Sequence, residues 1–191
     1  MELRPTLVGK LVTLEPLEER HVAGLREAAA DERAWTWMTT RDTEAWIAAA
    51  LAATEVYHFA VLREGAIVGS TSYLNVVLEH RRLEIGHTWN NPAAWGTGAN
   101  TEAKYLLLRY AFEELRMHRV EFKTDARNGR ARAALAALPA EFEGIHRKHM
   151  VVRGGERRDS AWYAVIDDDW PAVRSALEHR LQRKRSSTPR V

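Results

Sequence analysis

The chain of 191 residues contains no cysteine. This absence excludes disulfides, zinc sites built on thiolates and a cysteine nucleophile, and it leaves the redox compartment undecided. No run of eighteen apolar residues occurs, and the first ten residues, MELRPTLVGK, lack the apolar stretch of a signal peptide. We therefore expect a cytoplasmic protein that does not enter a membrane.

A strong charge of one sign is also lacking. The formal net charge is +2 and the pI is about 9.0, with much of the excess in the C-terminal HRLQRKRSSTPRV. We expect residues 181–191 to form a basic, frayed and solvated tail. A nucleic-acid or ribosome-associated protein that uses this tail is one alternative function, but no recognition-helix pattern supports it, so nucleic acid is not the expected partner.

No internal repeat and no linker rich in proline, glycine or serine divides the chain, so residues 1–180 are expected to form one domain. Strand patterns cover residues 11–14, 57–77 and 81–89, then 119–126 and 141–166. Turns at Glu64-Gly65 and Gly154-Gly155 predict two hairpins. Helical patterns lie near residues 17–25 and 42–53, from 100 and 128, and after 170. This order predicts an α/β fold of the α+β type, a mixed sheet with helices on it.

The segment WGTGANTE, residues 95–102, joins a predicted strand to a predicted helix. Gly96 and Gly98 permit positive φ, and a helix N-terminus directly after them adds unpaired N–H groups, which together favour an anion. A tight turn without a ligand explains the glycines equally well. A Walker loop is excluded because no lysine follows Gly98 until Lys104, and a dinucleotide fingerprint is weak because its third glycine is Thr101.

Beyond this loop, the chain resembles the GCN5-related N-acetyltransferases, most closely their RimJ/RimL-like branch. Three stretches carry the resemblance in the right order: LEIGHTWNNPAAWGTGANTEAKYLLLRYAFEEL, HRVEFKTDARNGRARAALAAL and FEGIHRKHMVVRGGERRDSAWYAV. It covers roughly residues 8–171. The resemblance implies a twisted, mostly antiparallel sheet of about seven strands, flanked by helices, with one parallel pair at a cofactor cleft.

The resemblance also implies transfer of an acetyl group from acetyl-CoA to a primary amine, by direct transfer in a ternary complex and without a metal. The acceptor is either a protein N-terminus or a small molecule, and the protein is a monomer or a homodimer. A CoA-binding regulatory protein without transferase activity is the other alternative. The predicted cofactor-binding residues are Thr88, Trp89, Trp95, Gly96, Thr97, Gly98, Ala99, Asn100, Thr101 and Asn128.

The sequence departs from the family pattern in places that concern the chemistry. Trp95 and Asn100 replace the first and last residues of the usual loop motif, and Ala131 stands where the branch often has a serine. Family members often use a tyrosine on the helix after Asn128 to protonate the departing coenzyme A thiolate. This helix contains no tyrosine, so the group that protonates the thiolate stays unassigned. Ser160 and Tyr163, in the last predicted strand, are the open candidates for it.

A general base must remove a proton from the attacking amine, directly or through water. Glu84 occupies the place where many family members carry an acidic base, and we expect it to be that base. His87 lies on the same predicted strand, and alternation places its side chain on the opposite face.

An acceptor groove is expected between the first two helices and the two hairpins. The predicted lining residues are Trp35, Trp37, Tyr73, Asn75 and His80. No metal site is expected from His146 and His149, because their positions have opposite parity on a strand.

Overall fold

The computed structural model describes residues 2–186, and it describes side chains as far as residue 183. One eight-stranded sheet runs through the molecule. Its strands are β1 (Leu7–Val8), β2 (Thr13–Pro16), β3 (Tyr57–Arg63), β4 (Ala66–Val77), β5 (Arg82–Asn90), β6 (Arg119–Asp125), β7 (Glu141–Val152) and β8 (Glu156–Ile166). The α-helices are α1 (Val22–Ala28), α2 (Thr43–Ala52), α3 (Ala99–Arg109), α4 (Gly129–Ala136) and α5 (Trp170–Ser186).

The strand order is β1-β2-β3-β4-β5-β6-β8-β7. Every neighbouring pair is antiparallel except β5 and β6, which run parallel because α3 carries the chain back across the sheet between them. This arrangement confirms the predicted mixed sheet and its single parallel pair. The sheet has one strand more than predicted, because the two-residue β1 is too short to leave a periodic pattern.

The main hydrophobic core lies between the sheet and the helices α3 and α5. The helical stripe predicted after residue 100 is buried here, including Ala103, Leu106 and Leu107. Tyr73 of β4 is fully enclosed in this core, and its hydroxyl donates to the carbonyl of Leu107 at 2.5 Å. α3 is therefore fixed to the sheet by packing and by a buried hydrogen bond.

A second cluster packs α1 and α2 against the sheet, around Trp35, Trp46 and Trp89. Trp89 lies on β5, whose Leu83 and Ile85 belong to the main core. Strict alternation would put all three side chains on one face, since their positions are all odd. A β-bulge at His87, where φ is 48°, reverses the alternation and turns Trp89 to the second cluster.

The predicted turns and caps are present. Glu64 and Gly65 both have positive φ, as a two-residue hairpin requires, and Asp42 caps α2 by accepting from the Ala45 N–H at 2.9 Å. α5 continues to Ser186, six residues beyond the domain boundary predicted at residue 180. The remainder of the predicted tail, residues 187–191, lies outside the described residues.

No helix within residues 2–186 is both long enough and apolar enough to cross a bilayer.

Candidate active site

The parallel strands β5 and β6 separate shortly after they begin to pair. Their register covers only three residue pairs and ends at Glu84 opposite Glu121. The following residues of β5, from Ile85 to Asn90, have no strand on this side within the described part of the sheet. A cavity of about 430 Å³ occupies the split, lined by both strands and by the start of α3 and α4.

Glu84 lies at the point where the strands part, and it lines the cavity although it is only 1% exposed. Lys123 of β6 forms an ion pair with its Oε2 at 2.8 Å, and the Asn75 amide donates to the same oxygen at 2.8 Å. Both donors bind Oε2, so Oε1 keeps its capacity to accept a hydrogen bond from a ligand. The carboxylate is thus held in one orientation by two strands.

Gly86 makes room for this carboxylate. A Cβ atom at Gly86 would lie 2.9 Å from Glu84 Oε1 and 3.0 Å from Leu74 Cδ2. These distances are shorter than ordinary van der Waals contacts, so any side chain at position 86 would press on the free oxygen of Glu84.

The glycine loop ends at the N-terminus of α3. Gly96 and Gly98 have φ of 76° and 97°, and a Cβ atom at Gly96 would meet no atom within 4 Å. Gly98 is the residue that precedes the helix, and the Thr97 hydroxyl braces the turn by donating to the Ala94 carbonyl at 2.7 Å. The first N–H groups of α3 have no intrahelical partner, which suits an anion at this end.

Six of the ten predicted cofactor residues line the cavity: Thr88, Trp89, Trp95, Asn100, Thr101 and Asn128. Of the other four, Gly96, Thr97 and Gly98 lie in the adjoining turn, and Ala99 begins α3 and is buried in the main core. Asn128 caps α4 through its side-chain oxygen, which accepts from the Ala131 N–H at 3.0 Å. Its amide nitrogen still has donors available for a ligand.

Arg130 was not singled out in the sequence. Its guanidinium stacks on the Trp95 ring with 3.3 Å between the guanidinium carbon and the ring centroid, and it lines the cavity beside the glycine loop. Arg130 is exposed overall, and partial desolvation of its guanidinium lowers its pKa. A cation next to a helix N-terminus adds to the attraction for an anion. Only tertiary structure brings α4 to the loop, so no local pattern could have identified this residue.

Buried polar atoms without partners support a ligand in this cavity. Asn100 Oδ1 and His87 Nδ1 are fully enclosed and form no hydrogen bond with the described residues, and both residues line the cavity. Buried polar atoms are nearly always hydrogen-bonded in folded proteins. The donors, the acceptors and the open glycine turn therefore fit a long polar ligand with an anionic group.

Lys104 is a further residue that the sequence analysis did not identify as part of the site. It is 7% exposed, and its ammonium group donates to the Thr88 hydroxyl at 2.7 Å. None of the ion pairs found among the described side chains includes Lys104, and burial lowers its pKa to about 7. Lys104 reaches the cavity because its turn of α3 faces the split between β5 and β6.

His87 and Glu84 line the same cavity, although simple alternation predicted opposite faces. The bulge at His87 and the divergence of β5 from β6 account for the difference. The ring of His87 stacks on His58 with centroids 5.7 Å apart, and burial lowers the pKa of both histidines, that of His58 to about 4.

The structure places the predicted acceptor residues in three different environments. Trp37 and Asn75 line the cavity, and the Asn75 amide donates to Glu84. Trp35 and Tyr73 are buried in the two cores, and the Trp35 indole donates to the Ala29 carbonyl at 3.0 Å. His80 is exposed in the short connection between β4 and β5. Sequence could not separate these environments, because an aromatic residue in a core and one in a groove leave the same signal.

The two candidates for protonating the thiolate are buried away from the cavity lining. The Ser160 hydroxyl bonds His149 Nδ1 at 3.0 Å, and the Tyr163 hydroxyl accepts from Arg132 at 3.1 Å. The parity argument for His146 and His149 was wrong. A bulge in β7 between His146 and Met150 brings the two rings within 5.7 Å of each other, against Trp162. No group of three metal-ligating side chains was found in the described part of the chain.

The single parallel pair of the sheet splits beside a glycine loop and a helix N-terminus, and this arrangement suits an anionic ligand between the two strands. The family model described as the acetyltransferase (GNAT) domain matches residues 12–140. The chain therefore belongs to the GNAT acetyltransferase family, as its sequence predicted.

Individual relatives agree with this assignment. YdaF of Bacillus subtilis (strain 168), provisionally named a ribosomal N-acetyltransferase, is 31% identical over 110 residues, which are 58% of this chain and 59% of that protein. The chain spans about three fifths of the length of this curated relative. A GCN5-related N-acetyltransferase from Brucella melitensis has a TM-score of 0.87 and 32% identity, covering 93% of this chain and 86% of the other.

The structure of Mycobacterium smegmatis RimJ in complex with CoA-disulfide is more distant. It has a TM-score of 0.77 and 22% identity, and the match covers 93% of this chain and 92% of that one. At this identity the similarity shows the shared fold.

Proposed function

We propose that this protein is an N-acyltransferase that moves an acetyl group from acetyl-CoA to a primary amine by direct transfer in a ternary complex. The observation that supports this most directly is the Glu84 carboxylate. It is fixed through one oxygen, free at the other, and placed where β5 and β6 part. Family membership supports the same chemistry.

The residues on the side of the cavity next to the glycine loop fit the cofactor. The glycine turn and the first turn of α3 would hold its pyrophosphate, Arg130 would add a positive charge, and Asn128 would donate from its amide. The unpaired edge of β5 near Thr88 and Trp89 offers backbone groups for the pantetheine arm. When bound there, acetyl-CoA supplies the activated acetyl group.

On the acceptor side, Glu84 Oε1 would accept a proton from the amine, directly or through a water molecule. An aliphatic amine is mostly protonated near pH 7, and a protonated amine has no lone pair for attack. A backbone N–H on the free edge of β5 would donate to the reacting carbonyl oxygen and stabilise its developing charge. The C–N bond would form as the C–S bond of the thioester breaks and coenzyme A leaves as its thiolate, so no covalent acyl-enzyme is required.

The acceptor is a protein N-terminus or a small-molecule amine, and the name of YdaF favours a ribosomal protein by analogy alone. The cytoplasm is the proposed location. A second candidate function is CoA binding without transfer, which Ala131 favours because it offers no hydroxyl where the branch often has a serine.

A calorimetric titration with acetyl-CoA, with ATP and NAD as parallel controls, tests the proposal. We expect micromolar binding of acetyl-CoA alone. Gly98→Asp should abolish it, because a side chain and a negative charge would stand against the pyrophosphate. Equal affinity in wild type and variant would disprove the loop assignment. Binding with no thiol release in the presence of any primary amine tested would favour the second candidate.

A further inference from the structure

One arginine that lines the cavity has neither a hydrogen bond nor an ion pair among the described residues. Arg158 of β8 lines the cavity and is 6% exposed. Its Nε is fully enclosed without a hydrogen bond, and none of the ion pairs found among the described side chains includes Arg158. Burial lowers the pKa of Arg158, and Asp125 and Glu84 oppose this shift only through space. A buried guanidinium without a counter-ion is strongly unfavourable, and it calls for an explanation.

The surrounding acids are already occupied. Asp125 accepts from Arg127 at 2.8 Å and from Arg153 at 3.0 Å, and Glu84 is held by Lys123. Neither acid forms a hydrogen bond with Arg158. Among the other cations of the lining, Lys104 donates to the Thr88 hydroxyl and Arg130 stacks on Trp95, whereas Arg158 has no such contact with the described residues.

The position of Arg158 places its positive charge on the acceptor side of the cavity, where Glu84 lies. Residues two apart on a strand share a face, so Arg158 lies on the same face of β8 as Trp162. Lys123, which is bonded to Glu84, lies over the Trp162 ring with its Nζ 5.3 Å from the centroid. Arg158 therefore stands on the face that carries the Glu84 ion pair, whereas Arg130 serves the loop side.

We propose that Arg158 binds a carboxylate carried by the acceptor, so that the substrates of this enzyme are amines with an acidic group near the reacting nitrogen. This inference rests on the proposed function. A guanidinium without a hydrogen bond or ion pair matches a negative charge, and its planar group donates two parallel hydrogen bonds to a carboxylate. The acidic group belongs either to a small molecule or to a side chain near a peptide N-terminus.

Two pairs of acceptor amines, each with one charged and one neutral member, distinguish these two sources of the acidic group. One pair is β-alanine and β-alaninamide. The other consists of two tripeptide amides that differ only in having glutamate or glutamine at the second position. For each pair, thiol release gives kcat/KM, and calorimetry with coenzyme A-saturated protein gives acceptor binding without turnover.

In at least one pair the wild type should prefer the charged member by about 10- to 100-fold, the range expected for a charge-assisted hydrogen bond. Arg158→Gln should remove this preference by weakening the charged member far more than the neutral one, while Arg158→Lys should keep part of it. Arg157→Gln is the matched control, because Arg157 is exposed on the same strand and its loss changes the net charge equally.

The proposal is wrong if the wild type shows no preference in either pair, in binding or in turnover. It is also wrong if Arg158→Gln weakens both members equally. Acetyl-CoA affinity is measured in the same samples, so loss of the proposed function itself would appear separately, as absent cofactor binding in the wild type.

Discussion

Replacing Lys104 by methionine should make the protein more stable at neutral pH. The ammonium group of Lys104 is buried, and the described residues provide it with a hydroxyl at 2.7 Å and, through space only, with the Glu84 carboxylate. Burial lowers its pKa from 10.5 to about 7 in the folded protein. Because the unfolded chain binds this proton more tightly, the lysine opposes folding at every pH below 10.5.

The magnitude follows from the pKa difference. Each pKa unit corresponds to about 1.4 kcal/mol, so the full penalty below pH 7 is about 4 to 5 kcal/mol. Methionine has a similar length, and its loss of the bond to Thr88 costs about 1 kcal/mol. We therefore expect Lys104→Met to raise the free energy of unfolding by about 3 kcal/mol at pH 7.

The pH dependence separates this cause from better packing. Between pH 7 and 10.5 the unfolded state holds the proton and the folded state does not, so the penalty fades as pH rises. Urea unfolding at pH 6 to 10 should show the advantage of the variant shrinking towards zero. The exposed Lys10→Met serves as control and should stay within about 0.5 kcal/mol of wild type. An advantage that is constant across this range, or a loss of stability at pH 7, would refute the reasoning.

Three further predictions concern the site and its support. Glu84→Gln should lower kcat by about 100-fold or more with acetyl-CoA affinity unchanged, and an unaltered pH–rate profile would remove Glu84 as the base. Gly86→Ala should also lower kcat without weakening acetyl-CoA binding, since its Cβ would press on Glu84 Oε1; full activity would show that this oxygen has room to move. Asp125 has a pKa lowered to about 2, because hydrogen bonds from Arg127 and Arg153 outweigh its desolvation. Asp125→Asn should therefore lose about 2 kcal/mol of stability at pH 7, with the gap closing as pH falls from 3.8 through 2. A gap that persists at pH 2 in urea unfolding would show that the carboxylate charge is not the cause.

The sequence predicted those features that short stretches of chain determine. The turn at Glu64-Gly65, the cap at Asp42 and the helical stripe after residue 100 depend on local spacing, and the structure has all of them. The family resemblance added the mixed sheet and its parallel pair to these predictions. The glycine turn at Gly96 and Gly98 was visible for the same reason, since two positive φ angles need glycine most.

The features that the sequence did not predict depend on bulges and on contacts between residues far apart in the chain. A residue with positive φ at His87 reverses the alternation of β5, and nothing in the local composition marks that position. The bulge in β7 overturned the parity of His146 and His149 in the same way. Arg130, Lys104 and Arg158 looked like ordinary surface cations, because they come together only when α3, α4 and β8 meet around the split.

The brevity of the β5–β6 ladder has a mechanical consequence. In hydrogen-bonding terms the molecule consists of a five-stranded sheet and a three-stranded sheet that share three residue pairs. A ligand lying along the free edge of β5 would join the two parts as an additional strand does. Amide hydrogen exchange should then slow on both sides of the split when acetyl-CoA binds, with stabilisation that grows with ligand concentration. The cosubstrate would thus act as a structural member of the sheet as well as a reactant.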